Sequence, residues 1–402
     1  MKSFIKTVFF LLLGSVAYSQ TIPKNSTVTG QVNAITTAAP FLMITPDSRA
    51  GGMGDAGVAT SPDANSMHWN AAKYAYTEHD MGISLSYTPW LSALINDMSL
   101  SYLSGYQKIG KKRRQTVSFA LLYFSLGDIM FTDINGQDIR PFQPREFSLD
   151  GAYSFMLGEH ISSAIAMRII YSNLTGGISS TTEPTRPGWA VAGDWSLYYN
   201  RDIDFLDKKS KLAFGANFSN LGSKISYSDG AEQNFIPMNM RLGTCLTTQL
   251  DDYNSLSFTI DINKLLVPTP PFYDIDTITG ERVIFAGKED QVSPPVAIFQ
   301  SFNDAPGGFN EELHELTYSV GTEYWYNKQF AIRAGYFHEH ATKGNRKFLT
   351  FGLGLKLNVF GLDFAYLIPT QARNPLENTL RFSLLFDFGG KRVVDEKDLK
   401  PQ

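Results

Sequence analysis

The stretch Leu349-Thr350-Phe351-Gly352-Leu353-Gly354-Leu355-Lys356-Leu357-Asn358-Val359-Phe360-Gly361-Leu362-Asp363-Phe364-Ala365-Tyr366 decides the architecture. On both sides of Asn358 a large apolar residue stands at every second position, with small or charged residues between. Successive side chains of a strand point to opposite faces, so this spacing predicts two strands joined by a tight turn. Working outward, the same period begins at Gly82 with Ile83, Leu85 and Tyr87 and ends with Leu380, Phe382, Leu384, Phe386 and Phe388. Fourteen such runs are counted between those limits. Their lengths, roughly 9–13 residues, suit tilted strands that cross the apolar band of an outer membrane.

The opposite faces of these strands carry Asp150, Arg168, Asp194, Arg241, Asp261, Glu323, Arg333, Lys356, Asp363, Arg381 and Asp387. In a soluble sandwich those charges would face water. In a membrane barrel the apolar face meets lipid and the charges line the lumen. Alternation alone does not separate the two, but connection lengths do. Tight turns are read at 158–159, 251–252, 327–328 and around Asn358. Long connections are read at 127–145, 173–188, 220–237, 264–312 and 369–378, with medium ones at 200–209 and 338–346. Most long ones follow odd-numbered strands, the mark of an up-and-down membrane barrel with short turns on one rim. The predicted fold is therefore all-β: a 14-stranded antiparallel transmembrane barrel of the outer membrane.

Bulk properties agree with this reading. The 402 residues are 13% aromatic and only 18% charged, with a mean hydropathy of −0.15. Residues 1–19 have the layout of a secretory signal: Lys2 and Lys6, an apolar core from Val8 to Leu13, and small residues at Ala17 and Ser19. Cleavage is expected between Ser19 and Gln20. That would leave 33 basic against 39 acidic residues, a balance that does not suit nucleic acid. Cys245 is the single cysteine, so no internal disulfide is possible. It reads as a small core or lumen residue. Domain boundaries are expected at 1–19 (signal), 20–79 (N-terminal plug with short helices), 80–388 (barrel) and 389–402 (periplasmic tail).

Before the strands lies Arg49-Ala50-Gly51-Gly52-Met53-Gly54-Asp55-Ala56-Gly57-Val58-Ala59, followed by His68-Trp69-Asn70-Ala71-Ala72. Gly52 to Gly57 satisfies G-x-G-x-x-G, but dinucleotide binding also needs a βαβ unit with parallel strands. Neither is predicted, and no cofactor is expected. Glycines also permit close backbone packing, which a plug inside a barrel requires. Arg49, Gly51, Gly52, Gly54, Asp55, Gly57, Trp69 and Asn70 are its candidate residues, with Arg49 and Asp55 able to pair with lumen charges.

Other motifs carry less chemistry. His338-Glu339-His340 lacks a third metal ligand and reads as a solvated loop. The basic turn Lys111-Lys112-Arg113-Arg114 reads as solvated, or as a contact for inner-leaflet headgroups or a periplasmic partner. No nucleophile elbow, zincin or Walker motif is present. The loop 264–312 mixes prolines with aromatic residues, too apolar for simple disorder. Pro270, Pro271, Phe272, Tyr273, Phe299 and Phe302 are its candidate partner-binding residues.

The glycine stretch, Pro62-Asp63-Ala64-Asn65, His68 to Tyr74 and the fourteen strands together resemble the FadL-like outer-membrane proteins. More closely, they resemble the PorV (LptO) family of the Bacteroidetes type IX secretion system. Asn70-Ala71-Ala72 stands where FadL-like proteins more often have Asn-Pro-Ala. The resemblance implies a non-enzymatic carrier or shuttle in the outer membrane. It implies association with a translocon barrel of the SprA/Sov type. It also implies binding of secreted proteins through their C-terminal signal domain, and delivery to an attachment complex containing a PorU-type protease. A FadL-type transporter of hydrophobic small molecules is the alternative. A lipopolysaccharide O-deacylase is a third, with no Ser/His/Asp arrangement visible for it.

Overall fold

In the computed structural model the described residues are 31–389, apart from 92–96, 111–113, 133–134, 136, 177–184, 229–232, 277–279 and 372–373. The signal segment, residues 20–30 of the plug and most of the tail lie outside them. Among the described residues there are eighteen strands: β1 Met81–Pro89, β2 Ser99–Ile109, β3 Gln115–Ser125, β4 Ile129–Thr132, β5 Asp138–Phe142, β6 Arg145–Met156, β7 Ile161–Asn173, β8 Gly188–Phe205 and β9 Lys208–Gly222. They continue with β10 Asn239–Gln249, β11 Asn254–Leu265, β12 Phe272–Ile275, β13 Arg282–Ala286, β14 Thr317–Tyr326, β15 Phe330–His338, β16 Lys347–Leu357, β17 Phe360–Pro369 and β18 Thr379–Phe388.

Fourteen of these close into one antiparallel barrel, each strand pairing with its neighbour along the chain and β1 pairing with β18. The remaining four form two separate hairpins, β4–β5 and β12–β13. Closure follows from the sequence pattern. Alternate residues such as Leu121, Leu149, Met167 and Val191 are exposed on the outer wall, whereas their neighbours are buried. No described helix is long and apolar enough to cross a membrane; the strands do so.

The two rims differ. On one, the connections are 110–114, 157–160, 206–207, 250–253, 327–329 and 358–359. On the other they are 90–98, 126–144, 174–187, 223–238, 266–316, 339–346 and 370–378. The short-turn rim is the periplasmic one and the long-loop rim is extracellular.

Two readings of the connections need correction. Residues 200–209 form no medium loop: β8 and β9 run on to a two-residue turn at Leu206-Asp207, both with positive φ. Paired left-handed residues match the right-handed strand twist of a tight hairpin, and neither Leu206 nor Asp207 advertises that in sequence. The segment 264–312 is not one irregular loop either. It holds the β12–β13 hairpin and the short helix Pro294–Gln300, and a second short helix, Phe309–His314, runs past its end.

Candidate functional site: the lumenal plug and the extracellular lid

The N-terminal segment crosses the whole lumen. At its outer end Asn33 donates from its backbone N–H to Thr342 O (2.9 Å) and Ala38 to Phe235 O (2.8 Å). The Asn33 amide also donates to Pro270 O (3.1 Å). Thr342, Phe235 and Pro270 all belong to extracellular connections. At its inner end, Lys108 donates to Thr77 O at the periplasmic rim. Between these points the chain forms helical turns at Pro40–Met43, Ser48–Gly51, Ser66–Trp69 and Ala71–Tyr76.

The turns are held by side chains rather than by helix length. Asp47 caps Ser48–Gly51 by accepting from Ala50 N (2.9 Å), and its second oxygen accepts from Trp69 Nε1 (2.7 Å). Asn70 caps Ala71–Tyr76 by accepting from Ala72 N (3.0 Å). Its amide donates to Val58 O and to Leu197 O of the barrel (3.1 and 2.8 Å). With the cap made by Asn70, the turn forms with Ala71 in place of proline.

The glycine stretch lies directly on the barrel wall. Gly54 has φ +69°, and a Cβ there would meet the Tyr336 backbone at 2.6 Å. A Cβ on Gly335 of the wall would come within 2.1 Å of Gly54 N. Gly52 faces Gly352 across 3.0 Å in the same sense, and Gly321 faces Met53. Gly57 has no room for a Cβ against the Trp69 ring (2.4 Å). The G-x-G-x-x-G amides do bind an anion, but it is the barrel's own. Asp261 accepts from Gly57 N (2.7 Å) and Val58 N (2.9 Å) with one oxygen. The wall glycines were not singled out in sequence. Their signal is glycine at lumen-facing positions of the neighbouring strands β14, β15 and β16, where a soluble core would carry larger residues.

The lumen charges are arranged in chains. Arg49 donates to both oxygens of Glu323 (2.9 and 2.8 Å) and to Asp63 (2.9 Å). Glu323 also pairs with Arg333 (2.7 Å), and Arg333 with Asp363 (2.7 Å). Arg381 reaches Asp55 (3.5 Å), with its side chain against Gly51. On the far wall Arg168 bridges Asp150 (2.7 Å) and Asp194 (3.2 Å). Arg241 donates to His68 O (3.1 Å) and lies over the Trp69 ring. Lys356 pairs with Asp387 (2.7 Å) and is partly exposed, so it sits at the rim rather than deep in the lumen. Arg49, Arg333 and Arg381 are all buried. The Arg49–Glu323 and Arg381–Asp55 pairs tie the plug to the wall, and the charged network occupies space that an apolar ligand would need.

Over the extracellular mouth, residues 266–316 form a lid. Lys264 pairs with Glu312 (3.1 Å) and Glu315 (2.6 Å), and Lys343 with Glu311 (2.6 Å) and Glu315 (3.1 Å). Glu312 further accepts from Asp304 N and Ala305 N (2.6 and 2.9 Å). Burial, reinforced by Glu312 and Glu315, raises the Asp304 carboxyl to about 7. The candidate partner-binding residues divide here. Pro271 is buried and Pro270 carries the Asn33 contact, so neither offers a free surface. Tyr273 is exposed with Arg282 stacked on it, and Phe299 and Phe302 are exposed at 79% and 48%. Phe309 is a third exposed ring of the lid, at 74%. In the neighbouring extracellular loop Glu339 pairs with Arg346 (2.8 Å), and His340 stacks on His314 at 3.5 Å. Glu339 and His340 are thereby spent on loop contacts, while His338 ends β15, so the segment is not the solvated loop its sequence suggested.

A closed fourteen-stranded antiparallel barrel, filled by its own N-terminal segment, defines the class: a plugged β-barrel of the outer-membrane type. Solved structures similar to it include the Pseudomonas putida toluene transporter TodX, at 12% identity and a TM-score of 0.49. That match covers 88% of this chain and 98% of TodX. The Ralstonia pickettii toluene transporter TbuX matches at 12% identity and 0.46, over 86% and 98% of the two chains. A Pseudomonas aeruginosa FadL homologue matches at 11% and 0.42, over 89% and 99%. A comparison with curated protein sequences finds no match. Residues 27–272 match the family model of the type IX secretion system protein PorV, and the chain belongs to that family.

Proposed function

We propose that this chain is the outer-membrane carrier subunit of a type IX secretion system, acting by binding and not by catalysis. In this reading it associates with the translocon barrel of the SprA/Sov type and receives secreted proteins by their C-terminal signal domains. It then delivers them to the attachment complex that contains the PorU-type protease. The observation that carries the reading is the set of exposed aromatic side chains on the lid. Phe299, Phe302 and Phe309 stand exposed on a segment fixed to the barrel by the Lys264 and Lys343 ion pairs. Large aromatic side chains held on a rigid support are the usual anchors of protein interfaces. The plugged, ion-paired lumen supports traffic by the outside of the barrel.

The test is a Phe299→Ser/Phe309→Ser variant, which removes two exposed rings without touching the ion pairs. Barrel abundance and heat-modifiable gel migration are expected to stay unchanged, while secreted cargo accumulates in the periplasm and no longer co-purifies with the barrel. Normal secretion and cargo capture by a correctly folded variant would refute the proposed site.

A further inference from the structure

The β8–β9 hairpin outruns the barrel at its periplasmic rim. β7 pairs with β8 only as far as Ile161 opposite Tyr199, and the last bond between them runs from Asn200 N to His160 O (2.9 Å). β8 nevertheless continues from Arg201 to Phe205, held on its other side by β9 down to the pair Phe205–Lys208. That extension is about 17 Å of strand. The other described hairpins of this rim stop within two residues of their neighbours' last pairs. A tight turn at Leu206-Asp207 closes the projection.

The side of β8 that β7 leaves behind is an open sheet edge. Successive residues of a strand point their backbone groups to opposite sides. Asn200 points its N–H at β7, so the N–H and C=O of Asp202 and Asp204 face the open side, while Arg201, Ile203 and Phe205 bond to β9. Such an edge is a template for another strand, and proteins commonly blunt it with proline, a bulge or a covering loop. From Arg201 to Phe205 there is no proline and no shift of register, and no described strand pairs with this edge.

The side chains state what an added strand must carry. Arg201, Ile203 and Phe205 continue the outward row of Trp195 and Tyr199, and Phe205 and Leu206 are exposed. Asp202 and Asp204 lie on the opposite face, where β9 sets Lys211 and Lys209 across from them. Asp202 is only loosely paired, 3.9 Å from Lys211 and with its side chain 88% exposed. A strand on the open side with Lys or Arg opposite the two aspartates, and branched apolar residues opposite Ile203 and Phe205, repeats the charge pattern of β9 and completes both faces. A second copy of this chain fits less well. Two barrels in one membrane run β8 in the same direction, so their edges would meet parallel, unlike every pair in this sheet.

We propose that the β8–β9 hairpin is a periplasmic docking strand. It takes up an extended segment of a periplasmic protein, with basic and branched apolar residues in alternation, as an antiparallel strand on the free edge of β8. The contact lies on the opposite rim from the lid and is independent of the cargo site proposed above.

The test uses the full-length barrel in phosphatidylcholine nanodiscs and, as probe, a fluorescent peptide of alternating lysine and valine. Wild type is expected to bind it, read by anisotropy. A peptide of the same composition with its lysines and valines in separate blocks should bind at least tenfold more weakly. Asp204→Pro removes the N–H that faces the open side and leaves the β8–β9 ladder intact, and should weaken binding about tenfold. Asp204→Asn keeps that N–H and should weaken it less. Asp202→Lys/Asp204→Lys should transfer the preference to a peptide of alternating glutamate and valine. Unchanged heat-modifiable migration checks that each variant is folded. Failure of wild type to bind, equal binding of the blocked peptide, or full affinity in Asp204→Pro would overturn the proposal. So would protection of Lys208 and Lys209 from trypsin by phosphatidylglycerol nanodiscs without peptide, which would assign the hairpin to the membrane surface.

Discussion

Gly54→Ala is the smallest change that tests how the plug is seated. The native backbone at Gly54 is left-handed, with φ +69°, and the added methyl carbon would lie 2.6, 2.7 and 2.8 Å from Tyr336 N, O and C. Both penalties fall on the plug–wall contact. A left-handed conformation costs a non-glycine residue about 1–2 kcal/mol, and overpacking against an unyielding backbone costs about 1–3 kcal/mol. Their sum, about 2–5 kcal/mol, shifts local plug docking by roughly thirty- to several-thousandfold. The barrel's own strand pairing is untouched, so heat-modifiable migration should be retained. Hydrogen exchange of residues 48–58 should accelerate by that factor, up to the rate of global opening. Cells should also become sensitive to large antibiotics that an intact outer membrane excludes. Gly54→Val should do the same more strongly. Native exchange protection in Gly54→Ala would refute the close backbone contact on which the seating rests.

Two further outcomes follow from the charge network and the lid. Glu323→Gln leaves Arg49 and Arg333 without their shared buried carboxylate. The expected loss is about 3–5 kcal/mol, read as a lower urea midpoint for the folded barrel; an unchanged midpoint would count against the network. Asp304, raised from 3.8 to about 7, favours its protonated form in the closed lid. Its contribution is therefore full below about pH 4, declines as pH rises, and is gone above about pH 7. Limited proteolysis of residues 266–316 should be faster at pH 8 than at pH 5, and Asp304→Asn should flatten that difference.

The barrel was legible because two-residue periodicity is local: each strand from Ile83 to Phe388 announces its own two faces. Turn chemistry was less so. Asn358 and Asn327-Lys328 sit in left-handed turns that asparagine tolerates, whereas Leu206-Asp207 adopts the same geometry under the pull of the long β8–β9 ladder. In the lid, Pro294-Pro295 mark the first turn of a helix rather than a semi-rigid coil. What could not be read was anything set by long-range pairing. Asn33 meets Thr342, Gly54 meets Gly335, and Asp261 meets the Gly57 amide. Each partner lies hundreds of residues away, and nothing in the spacing of one points to the other. The same limit explains Pro271, which lies buried against Gly287 of the same lid.

The path of the N-terminal segment has a consequence for assembly. With Asn33 outside and Met81 at the periplasmic rim, the plug is itself a membrane crossing, the fifteenth, made by the chain before it builds a single strand. A β1–β18 seam that sealed first would leave a finished ring with no lumen wide enough to thread. The last strand pair must therefore close around a segment already in place, and the plug becomes the mandrel on which the cylinder is wound.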